Sequence, residues 1–219
     1  ALDDAFPQRL RARLGDNCPS FLLVAGPLSF LEQSMVGVVG SRDPSPAAIS
    51  VAMEMARTAS SAGRAVVSGL ARGIDRAAMV TALGCGAPVV GVPTEGVLTV
   101  LRDSDTRARV DAGELCVASP YAPGSRFSAG AAMGRNKIVY GLADVTLVVC
   151  SDHGKGGTWE GAREAMRRGF GSVAVWTGEG EGSGNAALVR QGGHPVTTAV
   201  AVLDSVSSDE VRSPFQGEL

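Results

Sequence analysis

The stretch Met35 to Asp75 constrains the fold more than any other. Met35 to Val39 is a short, wholly apolar run with three valines, as a parallel strand buried on both faces requires. The chain breaks at Gly40-Ser41-Arg42 and restarts at Ser45-Pro46, where serine suits a helix N-cap and proline the first helical position. Ile49, Met53, Ala56 and Ala59 then recur at helical spacing, and Gly63 fits the residue after a helix end. The unit repeats at once: strand Ala65 to Gly69, turn Leu70-Ala71-Arg72-Gly73, and a second helix opened by Asp75, which is expected to cap it. Each turn offers free backbone N–H groups and one arginine, so two such turns side by side make an anion site, most simply for phosphate.

The same rhythm continues. Strands are expected at Phe21–Gly26, Pro88–Pro93, Leu115–Ala118, Val145–Cys150, Ser172–Thr177 and around Val196. Helices are expected at Arg102–Ala112, Phe127–Leu142, Trp159–Arg168, Asn185–Gln191 and near Val200–Val206. Alternation over nearly the whole length predicts an α/β fold with a doubly wound, mostly parallel sheet and helices on both faces. At 219 residues this suits one domain over 1–206, followed by a frayed tail over 207–219.

Two later segments extend the anion site. Arg135-Asn136-Lys137 sets two cations around an amide on a largely apolar helix. Lys155-Gly156-Gly157-Thr158 follows the most apolar strand, and there the glycines admit a phosphate, the lysine adds charge and Thr158 is placed to cap the next helix. The candidate binding residues are therefore Gly40, Ser41, Arg42, Ser68, Gly69, Arg72, Gly73, Arg135, Asn136, Lys137, Lys155, Gly156, Gly157 and Thr158. Together they suit a polyanion better than a single phosphate.

Composition limits the alternatives. The net charge of −2 leaves no global basic footprint, so nucleic-acid binding would use a local patch. Cys18, Cys85, Cys116 and Cys150 have no paired metal spacing, and with two histidines no metal site and no cofactor are expected. Cys116 and Cys150 read as small core residues and Cys85 as part of a helix-end turn. No apolar run reaches membrane-spanning length and the start lacks a signal pattern, so a cytoplasmic protein is expected. Ser41 and Ser68 have no evident histidine partner, and Glu164 is spaced to pair with Arg167 or Arg168. No catalytic pair stands out.

Three strings also carry a family resemblance: Val36-Gly37-Val38-Val39-Gly40-Ser41-Arg42, then Ser68-Gly69-Leu70-Ala71-Arg72-Gly73-Ile74-Asp75-Arg76-Ala77-Ala78, then Arg135-Asn136-Lys137-Ile138. In this order they resemble the DNA-processing protein A (DprA/Smf) family, with support from Gly184 to Gly193 and from the leader Pro7 to Leu10. The resemblance implies an extended Rossmann-like domain that binds single-stranded DNA, forms a homodimer, and in transformation delivers strands to a RecA-type recombinase. It assigns DNA contacts to Ser41, Arg42, Arg72, Arg135, Asn136 and Lys137. Met79 stands where the family usually has histidine, and Thr94 to Gly113 is shorter than usual. The Gly154 to Glu160 loop also resembles that of lonely-guy phosphoribohydrolases and related nucleotide sensors, which implies an alternative N-glycosidic hydrolase acting on nucleoside monophosphates. Those enzymes use a glutamate three residues after the threonine, where this chain has Gly161.

Overall fold

The computed structural model describes residues 6–210, with eight strands in one sheet. The strands are β1 (Leu23–Ala25), β2 (Met35–Val39), β3 (Ala65–Ser68), β4 (Val89–Gly91), β5 (Leu115–Ser119), β6 (Val145–Val148), β7 (Ser172–Trp176) and β8 (His194–Val196). Their order is β1-β5-β4-β3-β2-β6-β7-β8, and every neighbouring pair is parallel except β1 with β5. The expected doubly wound α/β architecture is present.

Nine helices accompany the strands in the described residues: α1 (Gln8–Leu14), α2 (Pro46–Ser61), α3 (Ile74–Gly84), α4 (Val97–Val100), α5 (Ser104–Asp111), α6 (Ala129–Leu142), α7 (Gly156–Arg168), α8 (Asn185–Arg190) and α9 (Ala199–Glu210). Helices α2, α3 and α9 cover one face and α1, α6, α7 and α8 the other. Strand β2 feeds both cores by simple alternation, with Val36 and Val38 on one side and Met35 and Val39 on the other. This two-sided burial explains why its sequence is continuously apolar.

The chain winds from β2 through β3 and β4 to β5, then returns along α6 to place β6 on the far side of β2. The carboxyl ends of β2 and β6 are therefore the point where the winding reverses, which is where open α/β sheets leave a crevice. The start of α2 follows expectation: Ser45 Oγ accepts the Ala48 N–H at 3.2 Å and Pro46 is the first helical residue. Among the described residues no helix is long and apolar enough to cross a membrane.

Four local expectations are corrected. The buried stripe of α2 is Ala48, Val51, Ala52, Met55, Ala56 and Ala59, while Ile49 and Met53 are half-buried. Helix α2 packs against α3 and α9 as well as the sheet, so its buried arc is wider and rotated, with alanines at the closest approaches. Asp75 does not cap α3, whose N-cap is Gly73. Helix α7 begins at Gly156, so Thr158 lies within its first turn and is not its cap. The short helix α4 was not anticipated, and its four residues are too few to show helical periodicity. The tail expected from Ser207 falls partly on residues 207–210, which lie in α9, and otherwise outside the described residues.

Candidate functional site

At the β2/β6 reversal lies a cavity of about 530 Å³. Nine of the residues singled out in the sequence line it: Gly40, Ser41, Arg42, Arg135, Asn136, Lys155, Gly156, Gly157 and Thr158. A second cavity of about 320 Å³ adjoins it over the ends of β3 and β4, and Arg42, Ala71, Phe127 and Arg135 line both. Gly69 and Arg72 line the second cavity only. Ser68, Gly73 and Lys137 line neither.

The two glycine turns pack directly on each other. Gly73 adopts φ +82°, and a β-carbon there would stand 2.4 Å from the Ser41 carbonyl oxygen. Its absence lets the Ile74 N–H donate to that carbonyl at 3.2 Å, which locks the second turn to the first. The role of Gly73 is thus to join the turns. Ser68 is also structural, because its fully buried hydroxyl donates to the Val38 carbonyl at 2.6 Å and ties β3 to β2. Leu70 holds a left-handed φ of +56°, an uncommon state for a leucine, and its side chain packs over Gly91.

The cavity floor holds charges that periodicity did not reveal. The Asp75 carboxylate turns back from α3 and accepts the Gly69 N–H at 3.0 Å. Burial raises its pKa above the usual carboxylate range, opposed by the Arg135 charge and the bonds from the Gly69 and Ala71 N–H groups. Arg135 reaches across from α6 and is 5% exposed. Its guanidinium lies over Gly69 so closely that a β-carbon there would fall 1.8 Å from Nη1. Burial lowers the pKa of Arg135 and the Asp75 carboxylate opposes the shift. Tyr140, 2% exposed, completes the floor, and burial raises its phenol pKa. Among the described residues neither Arg135 Nε nor the Tyr140 hydroxyl has a hydrogen-bond partner. Buried orphan donors are costly, and these two belong to residues that border the cavity.

On the β6 side, Thr158 Oγ1 donates to the Gly40 carbonyl at 2.9 Å and fastens the first turn of α7 to the end of β2. Asn136 Nδ2 donates to the Gly157 carbonyl at 2.9 Å, so part of its amide holds α6 to α7. Lys155 is exposed at the mouth, 3.9 Å from Asp152. Cys150 is buried as expected yet also lines the cavity. Lys137 lies on another side of α6, near Cys18. The ion pair shown on α7 joins Glu160 to Arg163 at 3.6 Å, rather than Glu164 to a following arginine.

Sequence reading passed over Phe127 as a site residue. It is 53% exposed, lines both cavities, and lies beneath the Arg42 guanidinium at 5.7 Å from the ring centroid. Its place beside Arg126 and before a capping Ser128 was the available signal, but one aromatic in a polar loop is not distinctive. Glu95 was missed too; it lines the second cavity and accepts the Thr94 hydroxyl at 2.7 Å.

Comparison with known proteins bears on this geometry. The model of the family DNA recombination-mediator protein A matches residues 1–207. The DNA processing protein DprA of Streptococcus pneumoniae (strain ATCC BAA-255 / R6) is 31% identical over 208 residues, which span 92% of this chain and 71% of that protein. The X-ray structure of DNA processing protein A from S. pneumoniae superposes with a TM-score of 0.80 at 29% identity, covering 93% of this chain and 71% of that one. A structure concerned with the single-stranded DNA binding mode of DNA processing protein A from Helicobacter pylori superposes with a TM-score of 0.76 at 22% identity, covering 95% and 94%.

Proposed function

Because this chain belongs to the DNA recombination-mediator protein A family, we propose that it binds single-stranded DNA across the two joined cavities and holds it without cleaving it. The observation that carries this reading is the run of Arg42, Arg135 and Arg72 along the adjoining cavities, with exposed Phe127 between them. Arginines supply phosphate contacts, and an aromatic face at the mouth supplies a platform on which an unpaired base stacks. The H. pylori relative, whose structure concerns binding of single-stranded DNA, has the same fold.

A holding role also accords with the carboxylates. Glu160 is paired with Arg163, and a side chain at position 161 would meet the Asn136 amide at 3.0 Å. The glutamate that lonely-guy enzymes carry there would have to displace the Asn136 amide, which is bonded to the Gly157 carbonyl. Following the family resemblance, we assign the protein to DNA processing and uptake in the cytoplasm, acting as a homodimer that passes strands to a RecA-type recombinase.

The test is titration of labelled oligonucleotide at low and moderate salt. Binding is expected to weaken with salt, and Arg72→Ala to reduce the logarithmic salt slope by roughly 0.7, the loss of one phosphate contact on a single strand. Absence of binding at low salt, binding indifferent to Arg72→Ala, or release of base from nucleoside monophosphates would each overturn the reading.

A further inference from the structure

Gly69 reads in sequence as a glycine that admits a phosphate, yet the structure fills the space over it with protein. A β-carbon there would stand 1.8 Å from Arg135 Nη1 and 2.4 Å from its Cζ and Nη2, so the three nearest atoms all belong to one guanidinium. Backbone conformation gives no reason for glycine at this position, because Gly69 is not among the residues with a left-handed φ. Its N–H donates to the Asp75 carboxylate at 3.0 Å, so the carboxylate and the guanidinium both rest on the same residue. Among the described residues no ion pair joins Asp75 to Arg135, although each charge opposes the desolvation of the other. No hydrogen bond from Arg135 is shown among them either, and its buried Nε has no partner. The guanidinium thus sits on a bare α-carbon beside a compensating charge, with its donors unused.

Resting on the single-stranded DNA reading, we propose that Gly69 is a positioning residue, the seat that holds the Arg135 guanidinium where the two cavities meet so that it takes a backbone phosphate of the strand. Arg42 and Arg135 both line both cavities, and two neighbouring arginines favour an anion between them. A guanidinium already fixed by its seat loses little freedom on binding, and its planar fork suits two phosphate oxygens. Any side chain at position 69 pushes the guanidinium away from that place while the turn keeps its backbone, since what a β-carbon meets first is the end of a flexible side chain. Asp75 completes the seat. It is engaged by the Gly69 N–H and balances the buried charge without taking the donors of the arginine.

The experiment is a double-mutant cycle on the full chain: wild type, Gly69→Ala, Arg135→Lys and the two combined. Fluorescence anisotropy with labelled oligo(dT) over a series of low salt concentrations reads affinity and salt slope, and chemical denaturation checks that each variant is folded. Gly69→Ala is expected to weaken binding about tenfold, as the loss of one charge-assisted hydrogen bond does, and to lower the logarithmic salt slope by roughly 0.7. Arg135→Lys keeps the buried charge beside Asp75 but lacks the fork, and is expected to weaken binding by a similar factor. Adding Gly69→Ala to Arg135→Lys should then change affinity by less than about twofold, because the two substitutions remove the same contact. Wild-type affinity in either single variant, or an equal loss from Gly69→Ala in both backgrounds, overturns the seat and leaves the DNA-binding reading intact. A Gly69→Ala chain that fails to fold overturns it as well, because the seat requires that only a side chain moves. Failure of the wild type to bind at low salt removes the DNA-binding reading and the seat with it.

Discussion

Two acid–arginine centres stand at opposite ends of the same strands, and they differ in how far their polar atoms are satisfied. At the amino ends of β2 and β6, Asp144 meets Arg9 at 3.0 Å and Arg13 and Arg64 at 3.8 Å, and it accepts the Ser34 hydroxyl at 2.5 Å and the Met35 N–H at 3.0 Å. Arg9 and Arg13 also donate to carbonyls at the end of α6. This centre staples α1 and the start of β3 to the sheet. At the carboxyl ends, Asp75 is held by backbone N–H groups, while Arg135 Nε and the Tyr140 hydroxyl, in two residues that line the cavity, are buried without hydrogen-bond partners. The first network surrounds one carboxylate with matched donors and leaves one buried donor, Arg64 Nη1, beyond hydrogen-bond reach at 3.8 Å from Asp144, whereas the second leaves two donors unmatched around a buried carboxylate.

The difference can be tested by substitution, and the largest effect is expected at the closed centre. Asp144→Ala leaves three partly buried arginines facing one another and is expected to cost about 3 kcal/mol in chemical denaturation. Its affinity for single-stranded DNA should hold under conditions where the protein stays folded. An equal loss of binding would show that the two ends are coupled rather than separate.

An intermediate effect concerns Asp75. Its folded pKa is raised by burial, so the folded state keeps a proton that the unfolded chain releases. The associated stability is fully present below the unfolded carboxylate pKa and is lost as pH rises through the raised folded value. The stability of the wild type relative to Asp75→Asn should therefore fall over that interval, seen as converging or crossing denaturation midpoints. A constant difference across the interval would mean that Asp75 is ionised with no penalty.

The smallest effect tests the unmatched donors. Tyr140→Phe removes a buried hydroxyl without a partner and keeps the ring, so stability should be unchanged or higher by up to about 1 kcal/mol. Binding should weaken nonetheless. A clear loss of stability would show that the hydroxyl is matched in the free protein, and the contrast between the two centres would then disappear.

Local features were readable from sequence wherever neighbouring residues decide the outcome. The apolar runs of β2 and β6, the Ser45-Pro46 helix start, the glycine turns and the arginines within them follow from strand burial, capping and backbone sterics over a few residues. Roles set by distant partners were not. Asp75 looked like a helix cap because the spacing allowed one, but it turns back to the Gly69 N–H and lies beside Arg135, sixty positions along the chain. Thr158 looked like another cap and instead donates to Gly40 from the far side of the reversal. Lys137 adjoins two cavity residues in sequence, yet a helix turns each successive side chain by about 100° and carries it away from them.

By itself the sequence determined that strands alternate with helices, that the sheet is mostly parallel and buried on both faces, and that glycine turns bearing arginine stand at strand ends. The tertiary structure alone decided that β6 returns beside β2, and that single crossover opens the crevice and brings four distant loops to it. It also set Glu95 among the arginines and left Arg135 and Tyr140 unmatched. Periodicity reports which face of an element is buried, whereas strand order and long side chains reaching across a crevice decide which polar groups meet there.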